Sequence, residues 1–286
     1  MVSEYRMYRL NPTSPRRLLL GACALLYAVG PQPLFARKVA RPTSELLVDA
    51  SSGRAIYASL PDEPRRPASL TKMMTLYLVF DALDAGRLRL NDPVPISRNA
   101  ARQPASRLGI AAGKSLPVRA VIKAMAVDSA NDVTVAIAER LCGSENAFAA
   151  AMNAKARQLG MTNTRFANAT GLTNRGNQTT ARDMAGLSLA LLKRHARYYP
   201  VFATPSIIWR SRRIVNHDHL LGKVSGVDGI KTGYTADAGY NIATSAQRRG
   251  KRIIAVVLGA DSLRARDRRA AELVEFGFTH LPAARR

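Results

Sequence analysis

Residues 67–75, PASLTKMMT, place Ser69 and Lys72 three positions apart at the start of a segment that predicts a helix ending at Gly86. At that spacing the two side chains lie on one face of a helix, one turn apart. A serine hydroxyl is a weak nucleophile without a base beside it, and a lysine with a lowered pKa can be that base. Alone, however, the pattern S-x-x-K is weak evidence, because it arises about once by chance in a chain this long. The serine could instead be a helix N-cap and the lysine a surface residue.

A second motif, S-x-N at Ser129 and Asn131, follows a run of helical periodicity that ends at Asp128. Because Ser, Asn and Asp suit turns and caps, we predict a tight turn between two helices here. In that turn Ser129 could pass a proton to a leaving amine, and Asn131 could hold the amide of a substrate. The spacing is weak evidence by itself, since it recurs at Ser97 and at Ser144, the latter a predicted helix N-cap.

A third motif, K-T-G, occurs once, at residues 231–233, and leads into an extended run. On an edge strand it would bring Lys231 to the site, where a second cation lowers the pKa of Lys72. The backbone N–H of Tyr234 would then join that of Ser69 in a two-donor oxyanion hole. The strength of the prediction lies in the three motifs together, since the K-T-G segment alone could be a hairpin edge with a surface lysine.

The remaining pattern predicts strands, then many helices, then strands and a last helix. The predicted segments are a hairpin at 45–58, helices within 116–197, a strand pair at 206–215, strands at 240–248 and 252–260, and a helix at 264–279. This order is typical of an antiparallel sheet covered by helices, with a helical subdomain inserted between the two groups of strands.

The charge balance is strongly basic, with 43 Lys and Arg against 20 Asp and Glu and a net charge of +23. The basic residues are spread along the chain, which is typical of a solvated basic surface, although attraction to an anionic polymer of the cell envelope stays open. Since no zinc-finger, RNA-recognition or basic-zipper pattern is present, we predict no nucleic-acid partner.

The N-terminus has the pattern of an export signal. Arg16 and Arg17 precede the apolar run Leu18–Gly30, which is too short to span a bilayer as a helix. We predict a signal peptide over residues 1–36, cleaved after Ala36, and therefore an exported protein of the periplasm or cell envelope with no stable membrane anchor after cleavage.

Cysteine and histidine usage argues against metal or redox chemistry. Signal cleavage would remove Cys23 and leave Cys142, which we predict to be a small buried apolar residue. The histidines show no zinc-type spacing with carboxylates or with Cys142, so we predict neither a metal nor a cofactor. His217 and His219 would share one face of a strand, and we assign them a structural role.

Several segments together resemble the D-alanyl-D-alanine carboxypeptidase family of low-molecular-mass penicillin-binding proteins. They span roughly residues 43–280 and are PASLTKMMT, DSAND, LGMTNTRFANATGL, TTARDMA, VDGIKTGYT and AGYNIATSA. The resemblance implies an α+β fold of the β-lactamase/transpeptidase type, a five-stranded antiparallel sheet flanked by helices with an inserted helical subdomain. Residues 37–286 would then be a single catalytic domain, without the second β-rich domain or C-terminal amphipathic anchor of many relatives.

The resemblance also implies an activity, removal of the terminal D-alanine from peptidoglycan stem peptides through an acyl-enzyme on Ser69. β-Lactam antibiotics would be covalent inhibitors. The implied catalytic residues are Ser69, Lys72 and Ser129. The implied substrate-binding residues are Asn131, Lys231, Thr232, Gly233, Tyr234, Thr235 and Arg266.

Arg266 is the predicted reader of the substrate's C-terminal carboxylate, because Arg binds carboxylates with two parallel hydrogen bonds. In the resemblance, the arginine that follows the strand RIIAVVLGA falls on this residue. Thr232 and Thr235 would add hydroxyl donors on the same side. We expect the neighbouring charges of Arg264 and Arg269 to be solvated.

Alternatives of other classes stay open. A class A β-lactamase of the same fold needs a Glu between the second and third motifs. That interval contains Glu139 and Glu145 but no E-x-x-L-N pattern, and no Glu occurs between 146 and 231. A non-catalytic wall-binding protein would be expected to lack Ser69 or Lys72. A D,D-endopeptidase has the same site pattern, and the sequence does not separate it from a carboxypeptidase.

Overall fold

The central element of the computed structural model, which describes residues 42–281, is an antiparallel sheet built from both ends of the chain. Its strands are β1 Ser44–Asp49, β2 Ala55–Ser59, β7 Val227–Thr235, β8 Gly239–Arg248 and β9 Lys251–Ala260. They pair in the order β2-β1-β9-β8-β7, each pair antiparallel. The predicted five-stranded sheet is confirmed, and K-T-G lies on its edge strand β7. The predicted export signal lies outside the described residues.

The segment between β2 and β7 is mostly helical, and one long helix follows β9. The α-helices are α1 Thr71–Asp84, α2 Arg98–Ala101, α3 Val118–Val127, α4 Asn131–Cys142, α5 Glu145–Gln158, α6 Ala181–Arg194 and α7 Leu263–His280. The inserted helical subdomain is therefore confirmed, although residues 159–180 form a loop rather than a helix. Cys142 is half-buried rather than buried, because it is the last residue of α4.

Apolar residues on both faces of the sheet explain why helices cover both. On one face, Leu46 and Val256 pack against the helical subdomain, and on the other Val257 packs against Leu273 of α7. Because β9 is covered on both sides, its sequence IIAVVL is an unbroken apolar run without alternation. Helix α1 is likewise buried on nearly all sides, which makes it the central helix of the subdomain.

Two small hairpins complete the fold. Strand β3 Pro93–Pro95 pairs with β4 Ser115–Pro117, and β5 Ser206–Trp209 pairs with β6 Arg212–Val215, as the sequence predicted for 206–215. All described elements belong to one compact unit that spans Ala40–Arg286. Within the described residues, none of the helices combines the length and apolarity needed to cross a membrane.

Candidate active site

The three motifs meet at one groove of about 430 Å³ between the helical subdomain and the edge strand β7. Every predicted site residue except Lys72 and Lys231 lines it, and those two lysines are buried, with 0% and 2% of their surface exposed. The groove is lined by Ser69, Ala105, Ser106, Ser129, Asn131, Gly171, Leu172, His217, His219, Thr232, Gly233, Tyr234, Thr235, Tyr240, Leu263 and Arg266. Their convergence makes this groove the candidate active site.

A second, larger cleft of about 1020 Å³ lies on another part of the surface, beside α6 and the ends of β1 and β9. None of the three motifs contributes a residue to it. Size alone therefore does not identify the reactive site in this protein, and the chemistry of the lining residues does.

Ser69 lies in a 3₁₀ turn, Ala68–Leu70, that continues directly into α1. One helical turn further on, the Lys72 Nζ atom lies 3.3 Å from the Ser69 Oγ atom, as the S-x-x-K spacing predicted. The Lys72 Nζ atom also donates to Asn131 Oδ1 and to the carbonyl of Thr170, both at 2.7 Å. These contacts hold the amine against the serine hydroxyl.

Burial, and next the positive charge of Lys231, hold the pKa of Lys72 well below its usual range. Asp128 and Glu145 oppose this effect. A neutral amine in contact with Ser69 Oγ can accept its proton, so the arrangement suits general-base activation of the nucleophile. This is the effect of a second cation that the sequence predicted for Lys231.

Two glycines allow the backbone to close around the Ser69 turn. A Cβ atom on Gly233 would lie 2.8 Å from the backbone nitrogen of Ser69, so only glycine lets β7 approach the nucleophile this closely. On the opposite side, Gly171 has a φ of +79°, and a Cβ there would lie 1.8 Å from the carbonyl oxygen of Ala68. Gly171 is thus a second packing requirement of the site, and the motifs did not point to it.

The S-x-N motif forms the tight turn between α3 and α4, as predicted. Ser129 is in the left-handed region with φ of +60°, and its buried Oγ atom has no hydrogen-bond partner. Asn131 is fully engaged: Oδ1 accepts from Lys72, and Nδ2 donates to the carbonyls of Pro104 and Ala105 at 3.0 and 3.3 Å. Asn131 therefore orients Lys72, a role that the sequence did not reveal, since the two residues are far apart in the chain.

On the sheet side, the Lys231 Nζ atom makes one hydrogen bond, to the carbonyl of Thr232 at 3.1 Å. Burial lowers the pKa of Lys231 to about 8, with Arg266 acting in the same direction and Asp218 opposing it. Tyr234 is 53% exposed, and its ring stacks on Tyr240 with the centroids 4.3 Å apart.

The two predicted threonines on β7, Thr232 and Thr235, differ in their hydrogen bonds within the protein. Thr232 is buried and lines the groove. The Thr235 hydroxyl also lines the groove, and it accepts a hydrogen bond from the backbone of Ala238 at 3.1 Å, which stabilises the β7–β8 turn.

Arg266 lies at the groove near the start of α7 with 3% of its surface exposed. Its Nε atom donates to Asp267 Oδ1 at 2.8 Å, and the other oxygen of Asp267 lies 3.1 Å from Nδ1 of His219. Asp267 thus holds the guanidinium in place.

Arg264 is exposed, as expected, but Arg269 is not free in solvent, since it forms an ion pair with Glu45 at 2.7 Å. The expectation for Arg269 was wrong because its partner lies on β1, far away in sequence.

His217 and His219 both line the groove, in the segment that joins β6 to β7. They lie in a bend and a turn rather than on a strand, so the predicted shared strand face is not present. Neither ring belongs to a metal cluster, since no group of three or more His, Cys, Asp or Glu side chains within residues 42–281 is placed to hold a metal ion.

No carboxylate lines the groove among the described residues. Two acids outside the lining, Asp128 and Glu145, are close enough to Lys72 to act on its pKa. Glu145 accepts a hydrogen bond from the backbone of Ala169 at 3.0 Å, and burial followed by the charge of Asp132 raises the pKa of Asp128 to about 6. The site therefore lacks a carboxylate in the groove that could activate a deacylating water, as the sequence indicated.

The fold and the Ser–Lys pair define the class of serine acyl-transfer enzymes that includes penicillin-binding proteins. The family profile Peptidase S11, D-alanyl-D-alanine carboxypeptidase, matches residues 35–262. The chain is 36% identical over 278 residues to the D-alanyl-D-alanine carboxypeptidase DacF of Bacillus subtilis, a match that covers 92% of this chain and 70% of that protein.

Solved structures agree with the sequence comparison. The D-alanyl-D-alanine carboxypeptidase DacD from Francisella tularensis superposes with a TM-score of 0.81 at 31% identity, over 82% of this chain and 70% of that one. Penicillin-binding protein D2 from Listeria monocytogenes, solved in its cefotaxime-bound form, gives 0.75 at 32% identity, over 82% and 96%. The chain belongs to the D-alanyl-D-alanine carboxypeptidase family, a family of serine hydrolases, and the predicted family, fold and enzyme class are confirmed.

Proposed function

We propose that this protein removes the terminal D-alanine from peptidoglycan stem peptides through an acyl-enzyme on Ser69. The observation that carries the proposal is the buried Lys72 amine, 3.3 Å from Ser69 Oγ and with its pKa lowered, at the floor of a groove closed on the other side by β7. A buried lysine with a lowered pKa can act as a base, and it then activates the hydroxyl of the serine beside it as a nucleophile.

Acylation follows from the positions of the groups. Neutral Lys72 takes the proton of the Ser69 hydroxyl as Oγ attacks the carbonyl of the penultimate D-alanine. The backbone N–H groups of Ser69 and Tyr234 stabilise the oxyanion. Ser129, whose Oγ atom has no protein partner, passes a proton to the nitrogen of the leaving D-alanine and regains one from protonated Lys72, which thereby returns to its neutral state. Lys231 is a further cation of the site.

Specificity for a free C-terminus rests on the cations at one end of the groove. Arg266 is held by Asp267, and Arg266 and Thr232 both line the groove. A carboxylate there would form charge-assisted hydrogen bonds, which are stronger than those to a neutral amide. A continuing peptide chain offers no such charge, so this end of the groove favours carboxypeptidase over endopeptidase action.

Hydrolysis completes the cycle when water attacks the acyl-enzyme. Because no acid lines the groove within the described part of the chain, Lys72 is the remaining base for that water. A β-lactam, whose strained amide resembles the D-Ala-D-Ala bond, would acylate Ser69 and stay attached much longer than in a β-lactamase. β-Lactams are therefore proposed covalent inhibitors.

The cellular setting is proposed from the N-terminal sequence. Residues 1–36 would direct export and be removed, and residues 37–286 would act as the catalytic domain in the periplasm or cell envelope. No cofactor is needed for this mechanism.

Two measurements test the proposal. Purified protein should release D-alanine from diacetyl-Lys-D-Ala-D-Ala, and intact-mass analysis after penicillin should show one adduct, on the peptide that contains Ser69. Ser69→Ala should abolish both. Ser144→Ala is a matched control, because Ser144 also matches S-x-N but caps α5 away from the groove. An adduct at another residue, or none, would show the assignment of the nucleophile to be wrong, and cleavage of cross-linked peptides without release of D-alanine from diacetyl-Lys-D-Ala-D-Ala would favour the endopeptidase.

A further inference from the structure

The β5–β6 hairpin presents an unusual outward face. Cross-strand pairing places Ile208 opposite Arg213 and Val215 opposite Ser206, so these four side chains share one face. Ile208 and Val215 are 70% and 59% exposed, more than any other large apolar residue in the described part of the chain. Single exposed apolar residues are common, but two of them on one small hairpin face form a patch.

The other face of the hairpin accounts for its stability without using this patch. Ile207, Trp209 and Ile214 pack against the main core, and the Trp209 Nε1 atom donates to the carbonyl of Leu108 at 2.9 Å. The hairpin is thereby fixed beside the loop that lines the groove, and its outward face contributes nothing to this packing. Solvent exposure of Ile208 and Val215 is therefore not a requirement of the fold.

Positive charge surrounds the patch. The turn between the strands is Arg210–Ser211, with φ of +46° and +63°, a conformation that favours Gly or Asn. Arg210, Arg212 and Arg213 are all exposed, and no acidic residue occurs from Thr204 to His217. The hairpin thus combines exposed aliphatic side chains with arginines at a projecting tip.

We propose that the outward face of the β5–β6 hairpin is a reversible contact for the surface of an anionic lipid bilayer. Aliphatic side chains flanked by arginines suit the boundary between lipid headgroups and acyl chains, where the chains insert and the arginines meet phosphates. The proposal concerns a surface outside the catalytic groove and does not depend on the reaction at Ser69.

Two other occupants fit less well. Two paired four-residue strands offer a face about 14 Å long and about 10 Å wide, far below the roughly 800 Å² per partner of a stable protein interface. An anionic wall polymer would be attracted by the arginines but would gain little from Ile208 and Val215. Only the lipid surface uses both the charge and the apolar side chains.

The test is flotation with phosphatidylcholine vesicles that contain or lack phosphatidylglycerol, using the full chain and, in parallel, the compact unit that begins at Ala40. The parent should partition to the anionic vesicles in a salt-sensitive manner. Arg210→Ser with Arg213→Ser should weaken binding about 25-fold, at about fivefold per arginine. Ile208→Ser should weaken it about tenfold. Arg89→Ser with Arg157→Ser removes the same charge from exposed sites elsewhere and should change binding less than about twofold.

Trp209 supplies a local readout, because it is the only tryptophan of the chain and lies on this hairpin. Brominated lipids in the anionic vesicles should quench its fluorescence in the parent, and Ile208→Ser should need about tenfold more lipid for the same quenching. Thermal unfolding of each variant shows that the fold is intact. Equal losses in the Arg89/Arg157 control, no quenching of Trp209, or binding only to isolated wall polymer would each overturn the proposal.

Discussion

The two walls of the groove are built differently. On the helical wall, Lys72 and Asn131 are bound to each other and to backbone carbonyls, so each amine or amide group already has its partners. On the sheet wall, Lys231 has a single hydrogen bond to the carbonyl of its neighbour, and Arg266 is anchored through Asp267 while still lining the groove. One wall is preorganised, and the other retains capacity for a ligand.

This difference separates the tasks of the two buried lysines. The pKa of Lys72 is held well below its usual range by burial and by Lys231, whereas the pKa of Lys231 is lowered by burial only to about 8. The lowered pKa suits Lys72 to act as a base, whereas Lys231, with a pKa of about 8, carries a positive charge at neutral pH. The arrangement places proton transfer on the helical wall and recognition of charge on the sheet wall.

The largest expected effect comes from the helical wall. Lys72→Ala should lower the rate of penicillin acylation and of D-alanine release about 1000-fold, because general-base catalysis by a positioned group typically contributes about 10²–10⁴. Lys123→Ala is the matched control, since Lys123 is exposed on α3. A Lys72→Ala protein that unfolds at the parental temperature and still acylates at the parental rate would contradict the assignment of the base.

The sheet wall should give an intermediate effect. Arg266→Ala should lower kcat/KM for D-Ala-D-Ala peptides about 10- to 150-fold, the loss typical of a charge-assisted hydrogen bond. Arg264→Ala is the control, because Arg264 is exposed on the same helix. Arg269 is unsuitable for that purpose, since it is paired with Glu45. If Arg266→Ala and Arg264→Ala have equal steady-state kinetics, Arg266 does not read the carboxylate.

Features that depend on local sequence were predictable. The strands of the sheet, the helix that carries Lys72 and the turn at Ser129 follow from periodicity and turn residues over a few positions. The presence of the three motifs in order also predicted that Ser69 and Lys231 share one site. These predictions succeeded because each rests on residues that are neighbours in the chain or on a resemblance that spans the whole domain.

Features that depend on distant pairing were not predictable. The bond between Lys72 and Asn131 joins two motifs, and the pair Arg269–Glu45 joins α7 to β1 across most of the chain. The position of His217 at the rim follows from how the β5–β6 hairpin packs against the loop at Leu108. Neither the spacing of His217 and His219 nor the run of arginines around Arg269 specifies such contacts.

The smallest expected effect sharpens the contrast between the two lysines. If Lys231 acts as a cation, kcat/KM of the parent should fall as pH rises through about 8, since the amine loses its proton there. The sign follows from the role: the protonated form is the active one, so activity is retained below that pKa and decreases about tenfold per pH unit above it. Lys231→Arg should move this alkaline limb to higher pH, because a guanidinium stays protonated.

The pH at which the limb occurs is the readout, since the larger arginine side chain can also lower the absolute rate. Lys223→Arg, an exposed lysine between the rim and β7, should leave the limb in place. A limb that stays at about 8 in Lys231→Arg would assign that titration to another group and remove the distinction between the walls.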